Sequence, residues 1–186
     1  MERHETTLAG VWELHPKIFR DSRGLFLETY HRKRFAEIGI SDIFVQDNCS
    51  VSEKGTVRGL HYQLHRGQAK LCRVAEGEAL DVVVDIRFGS PTFGKWASVT
   101  LSAKLQNQIY IPSGFAHGFL ALTQRVQFLY KCSDFYDSSD EHGVLWDDPG
   151  IGIPWGVASP LVSPKDSQLP RLADVPRDIL PSYKAP

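Results

Sequence analysis

Cysteine is scarce in this chain, and long apolar runs are missing. Among 186 residues there are three cysteines, Cys49, Cys72 and Cys132, odd in number and widely spaced. They form no C-x-x-C pair, which argues against zinc-ribbon and dithiol redox chemistry and fits a reducing compartment. No apolar run approaches the ~18 residues of a membrane helix, and no basic-then-apolar segment opens the chain. A soluble cytoplasmic protein is therefore expected. Charge of one sign is lacking too: 21 Lys and Arg against 22 Asp and Glu leave a formal charge of -1. That balance offers no footprint for nucleic acid or a membrane surface. Neither a G-x-G-x-x-G run nor a Walker A motif is present, and no internal repeat or low-complexity stretch interrupts the chain. The length suits one domain, taken as 1–186, with room for a proper core.

What the chain does contain is strand after strand. A first strand is expected around Leu8–Leu14, a short apolar piece at Ile18-Phe19, a turn at Asp21–Gly24, and alternation over Leu25–Tyr30. Arg32–Ile38 reads as a short helix ending at Gly39. Then come runs at Ile43–Asn48, Val57–Gln63, Lys70–Ala75, Ala79–Arg87, Trp96–Leu101, Asn107–Ile111, Gly118–Ala121 and Val126–Tyr130, parted by Gly, Pro, Ser or Asn. Short strands with little helix between them predict an all-β jelly-roll barrel or sandwich. After Asp137 the prolines and glycines predict an irregular wrap, with one helical turn at Pro164–Gln168.

Period-2 alternation then sorts polar groups onto faces. In Ala79–Arg87 the face Asp81, Val83, Asp85, Arg87 opposes Leu80, Val82, Val84, Ile86. Lys70 shares a row with Cys72 and Val74, and Tyr130 shares one with Val126, Phe128 and Cys132. A polar tip on an apolar row is what a barrel lumen with a few reactive groups presents. Taken singly, a lysine snorkelling to solvent or a tyrosine hydrogen-bonded in a core is the commoner case.

Two stretches carry more. Arg58-Gly59-Leu60-His61-Tyr62-Gln63 places a fixed cation beside a histidine, the side chain whose ordinary pKa lies nearest neutrality. Pro112-Ser113-Gly114-Phe115-Ala116-His117 has the P-x-G-x-x-H spacing of the second motif of the cupin superfamily. Many cupins bind a metal with an H-x-H pair, but here His61 is followed by Tyr62-Gln63, and His65 lies four residues on. With His117, and His61 as a second candidate, no third ligand is evident, and a metal-free site is expected.

Six motifs in order extend the likeness: Asp21–Glu28 (D-x-R-G-x-F-x-E), Gln46-Asp47-Asn48, RGLHYQ, PSGFAHGF, FLYKC, and a WDDP to S-x-KD tail. Together they resemble the dTDP-4-dehydrorhamnose 3,5-epimerase family over roughly residues 5–170. The resemblance implies a cupin-like jelly roll, a dTDP-sugar substrate, no cofactor and a homodimer. It implies His61 as base, Tyr130 as acid, Asp166 orienting His61, Asp81 close by, and Lys70 at the keto oxygen. It assigns Arg23, Arg58 and Lys165 to the diphosphate and Tyr136 to stacking on thymine. Phe26, Glu28, Gln46, Asp47, Asn48, His117 and Glu141 would line the nucleotide or sugar site. In a homodimer the stretch Arg23 to Glu28 would serve the neighbour's site. Ala69, where the family usually has Gly, and Cys49, where His or Glu is common, are departures that remove no catalytic group.

The chemistry is coherent. Protons at C3 and C5 of a 4-keto sugar are acidic because the carbanion delocalises onto the C4 oxygen. Their exchange needs a base near neutral pKa, a cation for the enolate oxygen, and an acid on the far face. A tyrosine, with an ordinary pKa of about 10, stays protonated to donate. Three alternatives stand beside this reading: a C3-only epimerase or ketoisomerase, a non-catalytic cupin binding a sugar nucleotide, and a metal-dependent cupin oxygenase.

Overall fold

Apolar rows on both faces of the central strands decide the architecture. The computed structural model describes residues 1–184, so the last two residues of the expected domain span lie outside the described residues. The strands are β1 (Glu2–Glu5), β2 (Trp12–His15), β3 (Ile18–Asp21), β4 (Gly24–Leu27), β5 (Gln46–Glu53), β6 (Val57–Gln63) and β7 (Lys70–Glu76). They continue as β8 (Glu78–Asp85), β9 (Trp96–Ser102), β10 (Gln108–Ile111), β11 (Phe115–Ala121), β12 (Arg125–Cys132) and β13 (Glu141–Gly143). One six-stranded sheet has the order β1-β2-β10-β7-β12-β5, and a five-stranded sheet has the order β13-β6-β11-β8-β9. All ladders are antiparallel, and among the described residues β3 pairs only with β4, as a separate hairpin. No helix among the described residues is long and apolar enough to cross a membrane.

The two sheets face each other across one core. Cys72, Val74, Ile109, Ile111, Val126 and Phe128 from the larger sheet meet Ala79, Val83, Val99, Leu101, Phe115 and Phe119 from the smaller. Phe119 and Phe128 stack with ring centroids 4.1 Å apart. The expected alternation in β8 holds: Val83 points into this core, while Val82, Val84 and Ile86 point to the outer face. That outer row would cost about 1.5–3 kcal/mol per side chain if left in water. The C-terminal wrap removes it from water with Ile151, Trp155, Leu172, Val175 and Leu180. The wrap is held by polar contacts too: the Trp155 indole N–H donates to the Trp146 carbonyl at 2.7 Å.

The helix α1 (Arg32–Glu37) ends as the sequence indicates, with Gly39 at φ +95 and its N–H bonded to the Ala36 carbonyl. Its Phe35 joins Leu14, Leu71 and Tyr110 on the outer side of the six-stranded sheet. Several boundaries moved. The stretch expected as one strand at Leu8–Leu14 is a turn followed by β2, with Leu8 and Val11 tucked into the core. β5 begins at Gln46 rather than Ile43 and runs on to Glu53, because its partner β12 offers a full-length ladder. The expected turn at 164–168 is a 3-10 turn at Asp166–Gln168, joined by two more at Leu172–Asp174 and Arg177–Ile179.

Candidate active site

β6 and β11 approach closely at two glycines, and this positions the site. A Cβ on Gly59 would lie 2.6 Å from the His117 carbonyl oxygen, and one on Gly118 would lie 2.5 Å from that of Arg58. Neither distance admits a side chain, so the ladder closes and His61 falls opposite His117 in register. Both histidines face a cavity of about 860 Å³ between the sheets. The wrap returns over this cavity with Pro160–Ser163 and brings Lys165 and Asp166 to its wall.

His61 is set by Asp166, 105 residues away, with Nε2 and Oδ1 2.7 Å apart. Asp166 is itself fixed: its Oδ2 accepts the Gly59 N–H at 3.2 Å, and its own N–H donates to Ser163 Oγ at 3.0 Å. The S-x-x-D pattern of Ser163–Asp166 is the local signal for this turn. Burial pushes the Asp166 carboxyl up, but His61, Gly59 and Ser163 together outweigh it and hold the group below its usual range. An ionised carboxylate only accepts, so Nε2 carries the imidazole proton and Nδ1 keeps a free lone pair. Glu141 Oε1 lies 3.8 Å from Nδ1. Glu141 is half-buried beside the same histidine and bonded by Lys165 and by the Tyr136 hydroxyl at 2.8 Å. Those contacts overcome desolvation and keep it ionised, so two carboxylates stand ready to stabilise a protonated His61.

Tyr130 comes from β12, on the row read from alternation. Burial first, and then the neighbouring Cys132, Cys72 and Glu141, push its hydroxyl up to about 12. It stays protonated at neutral pH and can only give a proton. Lys70, at the start of β7, lines the same cavity, in register with Cys132. Gln46, Asn48, Arg58, His117, Tyr136, Glu141 and Lys165 also line it. Arg58 is held by Ser52 Oγ at 3.0 Å, and the Tyr136 N–H donates to Gln46 Oε1 at 2.9 Å. Eleven of the sixteen residues expected at the site thus share one cavity.

Five do not line it. Asp81 sits behind the cavity wall, fully buried, with Oδ2 2.9 Å from His117 Nε2. Asp47 points to the opposite face of β5 and pairs with Lys131 at 2.7 Å, as alternation between Gln46 and Asn48 requires. Arg23 and Phe26 project from the β3–β4 hairpin into solvent, Arg23 pairing with Asp21, and Glu28 pairs with Arg34 at 2.9 Å. None of these three reaches the cavity of its own chain. Conversely, the sequence showed no third ligand beside His117 and His61. In the structure Cys72, Asp81 and His117 converge. The signal was available: Cys72 and Asp81 both lie on rows that face the lumen.

An antiparallel barrel holding a histidine hydrogen-bonded to an ionised carboxylate, a protonated tyrosine and a lysine around one cavity defines a cupin-type enzyme class whose side chains take and give protons. Comparison narrows the class. The model of the dTDP-4-dehydrorhamnose 3,5-epimerase family matches residues 5–174. The chain is 50% identical over 164 residues to the dTDP-4-dehydrorhamnose 3,5-epimerase of Shigella flexneri, covering 87% of this chain and 91% of that one. It is equally similar to the enzyme of that name from Neisseria gonorrhoeae, where the match spans 89% of this chain but 51% of the longer relative. The crystal structure of a dTDP-6-deoxy-D-glucose-3,5-epimerase from Legionella pneumophila, in complex with dTDP-4-keto-L-rhamnose, superposes with a TM-score of 0.96 at 44% identity, covering 99% of each chain. The chain belongs to the dTDP-4-dehydrorhamnose 3,5-epimerase family and is an isomerase.

Proposed function

We propose that this chain inverts C3 and C5 of a dTDP-4-keto-6-deoxyglucose, giving dTDP-4-dehydrorhamnose. The observation that carries the reading is the His61–Asp166 pair at 2.7 Å facing Tyr130 and Lys70 across one cavity. His61 Nδ1 takes the proton beside the ketone, and Asp166 and Glu141 stabilise the imidazolium. Lys70 meets the charge developing on the C4 oxygen, where a preorganised cation acts most strongly. Tyr130 returns a proton to the opposite ring face. Asp81 fixes His117 at the cavity wall. The ketone is already present, so the scheme requires neither nicotinamide nor metal.

Arg58 and Lys165 hold the diphosphate, Tyr136 at the mouth stacks on the thymine, and Gln46 and Asn48 complete the pocket. Arg23, Phe26 and Glu28 serve the cavity of a second copy, which makes the enzyme a homodimer. The exposure of Phe19, Leu25 and Phe26 on an otherwise unpaired hairpin supports that reading. Asp47 lies on the outer face and takes no part in its own chain's cavity. The whole chain works as one domain in the cytoplasm, where its three unpaired thiols remain reduced.

Each inversion takes its new proton from a group that exchanges with water. Turnover in D2O therefore labels every inverted carbon. Mass spectrometry should show two deuterium atoms, placed by NMR at C3 and C5. A C3-only reading has support in its own right: a dTDP-4-dehydrorhamnose 3-epimerase from Streptomyces niveus is 42% identical over 180 residues. A single deuterium at C3 after equilibrium would select it and overturn the double inversion.

A further inference from the structure

β7 and β8 belong to opposite sheets, and with β11 they bring three metal-capable side chains together behind the cavity wall. Cys72 and Asp81 are fully buried, and His117 is 7% exposed. His117 Nε2 lies 2.9 Å from Asp81 Oδ2 and 3.9 Å from Cys72 Sγ, and one donor atom from each residue falls within 4.8 Å of the other two. Asp81 Oδ1 is buried and has no hydrogen-bond partner among the described residues. A buried polar atom left in that state is destabilising, more so when charged. A bound cation would remove that cost.

We propose that Cys72, Asp81 and His117 form a transition-metal site at the floor of the substrate cavity, suited to Zn2+, and that filling it inhibits the enzyme. The donor set selects the ion. Thiolate, imidazole and carboxylate together match zinc, whereas Mg2+ and Ca2+ take mainly oxygen ligands. Bonds of about 2.0–2.3 Å set donor atoms roughly 3.3–3.8 Å apart around a tetrahedral ion. The present donor separations, 2.9 and 3.9 Å from His117 Nε2 and within 4.8 Å overall, bracket that spacing. The ion enters through the cavity past His117, displaces the Cys72 thiol proton to solvent, and leaves its fourth position toward the cavity. Cys72 lies in register with Tyr130, so the ion sits beside the proposed acid. It would compete for the Tyr130 oxygen and draw His117 and Asp81 from their present contact. The proton-transfer scheme makes no use of Cys72, so this site goes beyond that scheme.

Chelator-stripped protein titrated with Co2+ tests the site without any need for turnover. The expected result is about one ion per chain, with visible bands of tetrahedral cobalt and a thiolate-to-cobalt charge-transfer band in the near ultraviolet, all displaced by Zn2+. The charge-transfer band should vanish in Cys72→Ala and in Cys72→Ser, two variants guarding against misfolding of one, and persist in Cys132→Ser. Zn2+ should abolish epimerisation by the parent, and Cys72→Ala should need at least about tenfold more Zn2+ for the same loss, a difference of ~1.4 kcal/mol. Stoichiometry below about a tenth of an ion per chain, or a charge-transfer band surviving in both Cys72 variants, would overturn the site. Full activity with the band saturated would overturn the inhibition.

Discussion

Replacing Asp166 by asparagine tests the catalytic pair with little change of shape. The carboxylate at 2.7 Å from His61 only accepts, which fixes the proton on Nε2. An amide can also donate, and that would move the proton to Nδ1 and cancel the base. The electrostatic part is also calculable. Charge centres about 4 Å apart at an effective dielectric of about 20 attract by ~4 kcal/mol. The His61 side chain is 28% exposed, so solvent lowers this to about 3 kcal/mol. At ~1.36 kcal/mol per decade that is about 10²-fold in rate, and the wrong tautomer adds to it. We expect kcat to fall about 10³-fold, with affinity for dTDP within about twofold of the parent. The assay pairs NMR-detected C–H exchange in D2O with calorimetric binding of dTDP. A variant that folds, binds dTDP and exchanges within threefold of the parent rate would refute the orienting role of Asp166.

Acid and base should separate by mutation: Tyr130→Phe keeps solvent exchange at the carbon while inversion fails, and His61→Asn stops both. Exchange at the parental rate in the His61 variant would remove it as the base. Arg58→Ala and Tyr136→Ala should each weaken dTDP binding by calorimetry, the arginine effect shrinking in high salt because exposed charge is screened; unchanged affinity in both would sink the nucleotide assignment. Asp85 is fully buried and bonded by the Arg87 guanidinium at 2.7 and 2.8 Å and by Ser90 and Thr92 hydroxyls at 2.6 Å. Asp85→Ala strands Arg87 and should cost about 3–5 kcal/mol, lowering Tm by roughly 10 °C. Burial pushes the Asp85 carboxyl up, but those four bonds and the Arg87 N–H bring it net below its usual value. A depressed folded pKa stabilises above the unfolded value near 4 and loses that stability as pH falls through the folded value. Thermal melts of Asp85→Asn should therefore show less loss between about pH 5 and pH 3 than the parent, and equal loss in both would contradict the assignment.

The sequence alone determined most of the barrel and much of the site, for a local reason. Alternation is a property of neighbouring residues, so Lys70 with Cys72, and Phe128 with Tyr130 and Cys132, could be placed on lumen-facing rows before any fold was known. The motif likeness put Asp47 at the site with Gln46 and Asn48, whereas strand parity sends it to the opposite face, where it pairs with Lys131. The motif likeness added His61, Asp166 and Glu141, whose partnership no local pattern contains. Tertiary structure decided what depends on distant strands meeting. It closed 105 residues between His61 and Asp166 by folding the wrap over the apolar outer face of β8. It carried the β3–β4 hairpin away from its own chain's cavity, since that hairpin pairs with neither sheet. It also made Cys72, within the core, the neighbour of Asp81 and His117. A side chain's face follows from its strand, but its companions follow from which strands become adjacent, and long-range pairing alone fixes that.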